Sequence, residues 1–286
     1  MSAELPAVAA ARMAALRSSG TWGSALTADE FAAVRAAGFE PVGQVFGAAV
    51  YGADAAGGYG CPGAAGDGPA SQVSGRGGDG SFGSLVRAMG QARHAAVGRM
   101  ITECAELGGH GVVGVHVTRG MFPLGGTQFI VIGTAVRAPG ARPAVPFTSD
   151  VSGQDFAKLI MAGWVPVGLA LGVSIGSRHD DRVTTRQARW SSGNAEVAGW
   201  ADLVSEARRD ARRQLELDVE RLGAEGVVIA AMHMRGRRRD CPSTVGRYDH
   251  VVEAALMGTA VARFSRAEGR HDGAALAIMS LNRDRR

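Results

Sequence analysis

Histidine and cysteine side chains are the residues of this chain whose types and spacing point most directly to chemistry. His110 and His116 lie six positions apart in a segment with strand character, and an even spacing places both on one face of a strand. Cys241 and His250 could meet His233 across a hairpin. Because imidazole and thiolate groups bind zinc or copper in sets of about three or four, these five residues are the candidate metal ligands. A transition metal ion, within one chain or between subunits, is the candidate cofactor, and its identity is left open.

A basic run, RGRRRD, is the second candidate for chemistry. We expect it to lie in a loop, where Arg235, Arg237, Arg238 and Arg239 form a candidate anion-binding or nucleic-acid-binding site. The alternative is a solvated hairpin tip. The run has no aromatic platform of the kind that single-strand binders use, so nucleic acid is the less favoured partner.

Motifs of the common enzyme classes are missing from the sequence. It contains no G-x-S-x-G, H-E-x-x-H or P-loop pattern, and we name no catalytic residue. Gly109 to Gly114 does spell the dinucleotide fingerprint G-x-G-x-x-G. Dinucleotide binding requires a strand before the glycines and a helix after them, whereas here a helical pattern precedes and a strand follows. The glycines are therefore interpreted as a helix end and a tight strand entry, and the protein is predicted not to be an enzyme.

The segments that position these residues occur twice in the chain. AAGFEPVGQVFGAAVYG at residues 36–52 aligns with MAGWVPVGLALGVSIGS at residues 161–177, an offset of 125, and GTAV at 133 recurs at 258. LGGHGVVGV at 107 matches LGAEGVVIA at 222, an offset of 115. Glu225 and Ala231 stand where the first repeat has His110 and His116, so the candidate ligands are not repeated.

Each repeat predicts the same series of elements. Capping residues begin short helices near 28–37 and 153–162, and glycine-dotted strands follow near 39–51 and 164–176. Apolar residues at every third or fourth position then predict long helices near 84–107 and 199–222. Two strands complete each repeat, near 111–118 and 128–138 in the first and near 226–234 and 251–264 in the second.

The repeats divide the chain into five segments. We expect an N-terminal segment, a first repeat, a proline-rich extended linker, a second repeat and a C-terminal tail, at residues 1–20, 21–138, 139–149, 150–264 and 265–286. Residues 52–83 form a glycine-rich insert of the first repeat, which we expect to be mobile because it has few large apolar groups. The tail is predicted either to add a short helix or to stay disordered.

Each repeat resembles the YbjQ family, also called the heavy-metal-binding domain family. The resemblance is carried by PVGQVFG and PVGLALG, by QAR or EAR near the start of the long helix, by LGGHGVVGV and LGAEGVVIA, and by the closing GTAV. It implies an α+β fold in which a small dodecin-like β-α-β-β unit is duplicated in tandem and forms rings, typically pentamers. The long insert departs from the family pattern.

Assembly with itself is the partner that this resemblance implies. Unpaired sheet edges invite pairing with another unit, so we expect a cyclic homo-oligomer, with five chains and ten units in two stacked layers as the leading arrangement. The expected role is that of a non-enzymatic scaffold or binding protein. The alternatives are metal-ion or small-ligand binding and storage, with Trp164, Trp190 and Trp200 able to stack on a ligand, and a nucleic-acid-binding ring.

Composition excludes several other classes of protein. The 286 residues carry a net charge of +4. The three cysteines, Cys61, Cys104 and Cys241, are odd in number and form no C-x-x-C pair, which argues against a disulfide framework. The uncharged run at 159–177 is interrupted by Pro166 and glycines, so we expect no membrane span. No signal-peptide pattern opens the sequence, and we expect a cytoplasmic protein.

Overall fold

The fold consists of helices packed on two β-sheets. The computed structural model describes residues 6–20, 23–52, 71–74, 82–121, 126–140, 143–189, 193, 196–241, 244–264 and 278–280. The helices are α1 Ala7–Ser19, α2 Ala28–Ala36, α3 Gly83–Glu106, α4 Gly153–Met161, α5 Arg182–Gln187 and α6 Ala198–Arg221. The strands are β1 Glu40–Tyr51, β2 Ser71–Val73, β3 Gly111–Met121, β4 Thr127–Arg137, β5 Phe147–Thr148, β6 Trp164–His179, β7 Gly226–Asp240, β8 Tyr248–Arg263 and β9 Ile278–Ser280.

Two units of the chain have the same order of elements. In the first unit α2 leads into β1, α3 follows, and β3 and β4 form a hairpin; in the second unit α4, β6, α6, β7 and β8 take these places. The predicted long helices are confirmed as α3 and α6, each 24 residues long. The predicted short helices are confirmed as α2 and α4.

Each unit contributes one sheet. The first sheet has the strand order β1-β4-β3-β5, and the second has the order β2-β6-β8-β7-β9. All pairs are antiparallel except β3 with β5. In each unit the last strand lies between the other two. Strand β4 lies between β1 and β3, and β8 lies between β6 and β7.

Side-chain caps begin the two short helices as the sequence predicts. The hydroxyl of Thr27 accepts from the backbone N–H of Glu30, and the Glu30 carboxylate accepts from the backbone N–H of Thr27 at 2.8 Å. This reciprocal pair satisfies two N–H groups that a helix start otherwise leaves without partners. Ser152 caps α4 by accepting from the backbone N–H of Asp155.

One glycine in each first strand allows the long helix to approach closely. A Cβ atom at Gly47 would lie 2.9 Å from the backbone nitrogen of Met100, and one at Gly172 would lie 2.7 Å from that of Leu215. Both would also collide with a helix carbonyl oxygen one turn earlier. Any side chain at either position therefore pushes the helix away from its sheet.

Each long helix carries a buried carboxylate that accepts a hydrogen bond from the backbone of the first strand of its own unit. Glu103 Oε2 accepts from the backbone N–H of Phe46 at 2.7 Å, and Asp218 Oδ2 accepts from that of Leu171 at 2.9 Å. Each carboxylate satisfies a strand N–H that has no ladder partner, which stabilises the helix position. Arg12 of α1 also forms an ion pair with Glu103.

Helix α3 lies between the two sheets. One core cluster joins Met89, Ala96 and Met100 of α3 to residues of the first sheet and to Val173 and Ile175 of β6. Helix α6 packs against the other face of the second sheet in a separate cluster. The layers are therefore first sheet, α3, second sheet and α6.

The glycines of the dinucleotide fingerprint have the structural role predicted for them. Gly108 ends α3 with φ of 71°, and Gly114 has φ of 65° inside β3. Both values lie in the left-handed region that glycine adopts without strain. A side chain at Gly111 would collide with the ring of Phe147. The order of helix before strand is confirmed, which excludes the dinucleotide-binding arrangement.

Part of the glycine-rich insert is ordered, contrary to our expectation. Residues 53–70 and 75–81 lie outside the described residues, but β2 pairs with residues 176–178 of β6. Val73 is buried, and the backbone N–H of Ile175 donates to the hydroxyl of Ser74 at 3.1 Å. The end of β6 offers backbone groups that need partners, and pairing with them offsets the entropy lost on ordering.

The linker and the tail also contribute strands. The linker ends in β5, which lies parallel to Gly111 and Val112 of β3. Residues 278–280 of the tail form β9 beside residues 226–228 of β7, so both alternatives predicted for this stretch, a helix and disorder, were wrong. No helix in the described part of the chain is long and apolar enough to cross a membrane.

Candidate functional site

Among the described residues, one group of histidine, cysteine and aspartate side chains lies close enough together to hold a metal ion, at one end of the second sheet. His179, the last residue of β6, pairs with Asp249 near the start of β8. Cys241 follows the last residue of β7, and its backbone N–H donates to the carbonyl of Arg247 at 2.9 Å. One ligand atom from each of His179, Cys241 and Asp249 lies within 4.8 Å of the other two. We call these three residues the His-Cys-Asp cluster.

The His-Cys-Asp cluster is almost completely shielded from solvent. Asp249 is fully buried, Cys241 is 7% exposed, and the side chain of His179 is 12% exposed. His179 Nδ1 lies 2.8 Å from Asp249 Oδ1. A buried carboxylate is unfavourable unless hydrogen bonds or positive charge compensate it. The hydrogen bond between the His179 imidazole and the Asp249 carboxylate supplies this compensation, and it holds the imidazole in place.

A second histidine–aspartate pair lies beside the cluster. His250 Nε2 is 3.2 Å from Asp180 Oδ2, and these two residues follow Asp249 and His179 in sequence. The indole of Trp200, in the first turn of α6, packs on the His250 ring with centroids 4.4 Å apart. Trp200 thus packs on the second pair, and Trp190 lies outside the described residues.

An ion pair fixes the chain where β6 ends. Arg178 Nη2 donates to Asp181 Oδ2 at 3.0 Å, and the backbone N–H of Thr184 donates to Asp181 Oδ1 at 2.6 Å. Burial alone raises the pKa of Asp181, but the hydrogen bonds from Thr184 and Arg178 outweigh it and lower that pKa. Asp181 therefore stays ionised and begins α5 directly after the cluster.

The residue types of the cluster allow two kinds of chemistry. A thiol, an imidazole and a carboxylate form a ligand set for a divalent transition metal ion, with a fourth position left open. The same three groups form the nucleophile, base and orienting group of some hydrolases. Because Cys241 is only 7% exposed, a substrate carbonyl has no open approach to its sulfur, which argues against the second use.

Our prediction that His110 and His116 share one face is wrong. A β-bulge between Val113 and His116 inserts an extra residue, and the helix-side core contains both Val112 and Val115, three positions apart. The alternation of side chains is shifted by one at such a bulge, so positions six apart across it point to opposite faces. His110 is buried beside the backbone N–H of Ala138, whereas His116 is exposed.

The predicted meeting of His233, Cys241 and His250 is also wrong. His233 lies within β7 opposite Ala255 and lines a cavity of about 300 Å³ between the units. Cys241 lies eight positions further along the extended strand, a distance of about 26 Å at the usual rise of a strand. His250 binds Asp180 instead. Of these three candidates, only Cys241 belongs to the His-Cys-Asp cluster.

The arginine run lies in a strand and not in the loop that we predicted. Arg235, Arg237, Arg238 and Arg239 are residues of β7 and pair with residues of β8 from Glu253 to Asp249. Arg238 lies over the ring of Tyr248 at 4.2 Å. Alternation along a strand places Arg235, Arg237 and Arg239 on one face of the sheet and Arg238 on the other.

His179 and Asp249 were not among the predicted site residues. The first strand of the second repeat was predicted to end at 176 and the last to begin at 251, so both residues lay outside the predicted sheet. The segments SRHDD and RYDHVV show no alternation of polar and apolar residues, so the sequence has no local strand signal at these positions. Two antiparallel strands extended by a few residues bring these segments opposite each other.

Comparisons with known proteins match two different lengths of the chain. Residues 72–139 match the YbjQ_1 family, described as "Putative heavy-metal-binding", which confirms the resemblance for that region. Over 280 residues the chain is 32% identical to the Encapsulin nanocompartment protein Rv1762c of Mycobacterium tuberculosis, with 93% of this chain and 95% of that protein covered. No solved structure gives a significant match. The YbjQ_1 match spans α3, β3 and β4, and it does not include the His-Cys-Asp cluster.

Proposed function

This chain belongs to the family of the encapsulin nanocompartment protein Rv1762c, and on that premise we propose that it is a non-enzymatic, self-assembling component of an encapsulin nanocompartment. The relationship extends over nearly the whole of both chains, so it covers both units and not only the YbjQ-like region. The buried Cys241 and the lack of common catalytic motifs support a role without catalysis. The buried cysteines Cys104 and Cys241 form no disulfide in the described part of the chain, which suits the reducing cytoplasm that we propose as its location.

We further propose that the two units are tandem copies of one ancestral YbjQ-like unit. The support is the recurrence of detailed contacts at fixed offsets. Gly47 and Gly172 meet the same turn of their helices, and the hydroxyls of Thr134 and Thr259 accept from backbone N–H groups at 2.9 and 3.0 Å. Neither contact is required by fold class alone, so a shared origin accounts for them most simply.

An exposed apolar surface on β1 is the observation that carries the proposal of self-assembly. Phe46 is 38% exposed and Val50 is 50% exposed on the face of the first sheet that points away from α3. The corresponding residues of β6 are Leu171, which packs in the core, and Ile175, which is 3% exposed. In the second unit this face is covered by α3, whereas in the first unit the described chain leaves it open.

We propose that α6 of a second chain covers the open face of β1, as α3 covers the face of β6. In α6, Arg208 takes the position that Arg93 has in α3. Because Arg93 lies near Asp218, Arg208 would lie near Glu103 of the next chain, where Arg12 now binds. Such a contact joins two different surfaces and repeats from chain to chain, and closed rings end the repeat without forming filaments. Five chains with ten units is the arrangement that the family resemblance favours.

A substitution on the open face tests this proposal. We expect the wild-type protein to have a native mass several times the 29.5 kDa of one chain. Phe46→Glu places a charge in the contact and should reduce the mass to that of smaller species, because burying an unpaired carboxylate is strongly unfavourable.

The matched control is Met161→Glu, which adds the same charge at an 82% exposed residue of α4 and should leave the mass unchanged. Light scattering and native mass spectrometry measure both. A wild-type mass of one chain at all concentrations, or equal effects of the two variants, would overturn the proposal.

A further inference from the structure

The hairpin of the second unit is longer than that of the first. Strands β7 and β8 have 15 and 16 residues, whereas β3 and β4 have 11 each. The additional residues carry β7 and β8 to the end of β6 and place Cys241 beside the His179–Asp249 pair. The His-Cys-Asp cluster is therefore made by a feature that only the second unit has.

The ligand atoms of the cluster lie close together and are shielded from water. One ligand atom from each of the three residues lies within 4.8 Å of the other two, Asp249 is fully buried and Cys241 is 7% exposed. When a divalent cation binds, a thiolate at Cys241 and the carboxylate of Asp249 would together neutralise its two positive charges. Metal binding would replace the shared proton between His179 and Asp249 and the proton on the Cys241 sulfur.

We propose that His179, Cys241 and Asp249 form a binding site for a divalent transition metal ion of the zinc class. The thiolate selects against Mg²⁺ and Ca²⁺, which bind oxygen ligands almost exclusively. Together with the thiolate, the imidazole and the carboxylate would fill three of the four positions of a tetrahedral zinc site. The Asp180–His250 pair, with the ring of Trp200 on His250, directly follows His179 and Asp249 in sequence. Because side chains alternate along a strand, this pair lies on the opposite face of the sheet from the three ligands.

This proposal is independent of the proposed assembly. The cluster lies at the hairpin end of the second sheet, and the open face of Phe46 and Val50 lies on the first sheet. It also lies outside residues 72–139, which match the heavy-metal-binding family, so it does not depend on that description.

Cobalt binding to the full-length protein is the test, because Co²⁺ substitutes for Zn²⁺ and reports its ligands by absorption. After removal of metal with a chelator under reducing conditions, we expect one equivalent of Co²⁺ per chain to give a thiolate-to-cobalt charge-transfer band and strong tetrahedral visible bands. Zn²⁺ should displace the cobalt and abolish both. Binding should also release protons and weaken as pH falls, since the thiol must ionise.

Matched variants assign the ligands. Cys241→Ser should remove the charge-transfer band, and His179→Gln and Asp249→Asn should each weaken binding by at least about tenfold. Cys104→Ser changes an equally buried thiol in α3, and Cys61→Ser changes the third cysteine of the chain; both should retain the band. His250→Gln should retain it too. Circular dichroism checks that each variant is folded.

Two results would overturn the metal site. One is the absence of stoichiometric Co²⁺ and Zn²⁺ binding by the folded wild-type protein. The other is a charge-transfer band that survives Cys241→Ser or is lost with Cys61→Ser. The native mass of Cys241→Ser is expected to equal that of the wild type, so failure of the site and failure of assembly give different results.

Discussion

Helices α3 and α6 have the same length and the same place in their units, but their outer faces differ. Helix α3 contains five Asp, Glu and Arg residues, whereas α6 contains eleven. The outer face of α3 packs against the second sheet, and burial lowers the pKa of Arg93 there to about 10, with Asp218 and Asp150 opposing the shift. The outer face of α6 is open in the single chain, and Arg208, at the position of Arg93, is exposed.

The first strands of the two units differ in the complementary way. The outer face of β6 is buried under α3, and the outer face of β1 presents Phe46 and Val50. The contacts between the long helix and the first strand are nearly identical in the two units, so the units differ in what covers their outer faces. The contacts within a unit therefore determine its fold, and the outer faces determine how units are joined.

The largest effect is expected at the glycines that are common to both units. Gly47→Ala and Gly172→Ala should each lower the free energy of unfolding by about 4 kcal/mol or more, because the new Cβ meets helix backbone and not a movable side chain. Gly98→Ala is the control, since a Cβ there meets nothing within 4 Å, and it should stabilise α3 by about 0.5–1 kcal/mol. Chemical denaturation measures all three. Similar losses at 47 and 172 would show that the two units depend equally on this contact, and a loss at only one position would contradict that equivalence.

Shortening the matching residues on the outer faces of β6 and β1 should lower stability by different amounts in the two units. Ile175→Ala should cost about 3 kcal/mol of unfolding free energy, since Ile175 is 3% exposed in the core. Val50→Ala, at the matching position of β1, should cost about 0.5 kcal/mol or less in dilute protein because Val50 is 50% exposed. Equal costs would mean that the face of β1 is covered within the chain.

Loss of the helix carboxylates should give intermediate effects. Glu103→Ala and Asp218→Ala each leave a strand N–H without its partner and should cost about 1–3 kcal/mol in denaturant unfolding. Glu103→Ala also breaks the ion pair with Arg12, whose side chain is 39% exposed, and this adds less than about 1 kcal/mol. Glu106→Ala, which removes only an exposed pair with Arg17, should be nearly silent.

The smallest effect concerns a position where the units differ in charge. Ala25 in the first unit corresponds to Asp150 in the second, and the backbone N–H of each donates to a threonine hydroxyl. Burial raises the pKa of Asp150 above its usual value, although Thr259 and Arg93 oppose this. A raised folded-state pKa means that stability is lost as pH rises through it.

Asp150→Asn removes that loss and keeps an oxygen to accept from Thr259. We expect a gain of less than about 1 kcal/mol at pH 7, which should disappear as pH falls toward the unfolded-state value near 4. Thermal unfolding at several pH values measures it, with the exposed Asp202→Asn as control. A variant that is less stable at pH 7 would show that the pairing of Asp150 with Arg93 dominates.

The elements of the fold were predictable where local patterns and repetition agree. Gly47 and Gly172 stand at one offset within matching phrases, and the capping residues Thr27 and Ser152 mark helix starts directly. The lengths of the strands were less predictable. The arginines of β7 are typical of a loop, and they form a strand because the backbone of β8 pairs with them over its full length.

The candidate site was not predictable for the same reason. His179 and Asp249 are 70 residues apart, and their pairing depends on strands that extend beyond their apolar segments. The bulge in β3 likewise changes which residues share a face, and Gly114 reveals it only once its positive φ is known. Long-range register is therefore the information that a single sequence lacks.

The place of α3 between two sheets has a consequence for synthesis of the chain. Helix α3 is complete at Glu106, but the strands β6 and β8 that cover its outer face are complete only at Arg263, roughly 150 residues later. At the usual rate of translation, this interval lasts on the order of ten seconds. During that time Met89 and its apolar neighbours face water on a nascent polypeptide, so the first unit exposes an aggregation-prone surface until the second unit has emerged.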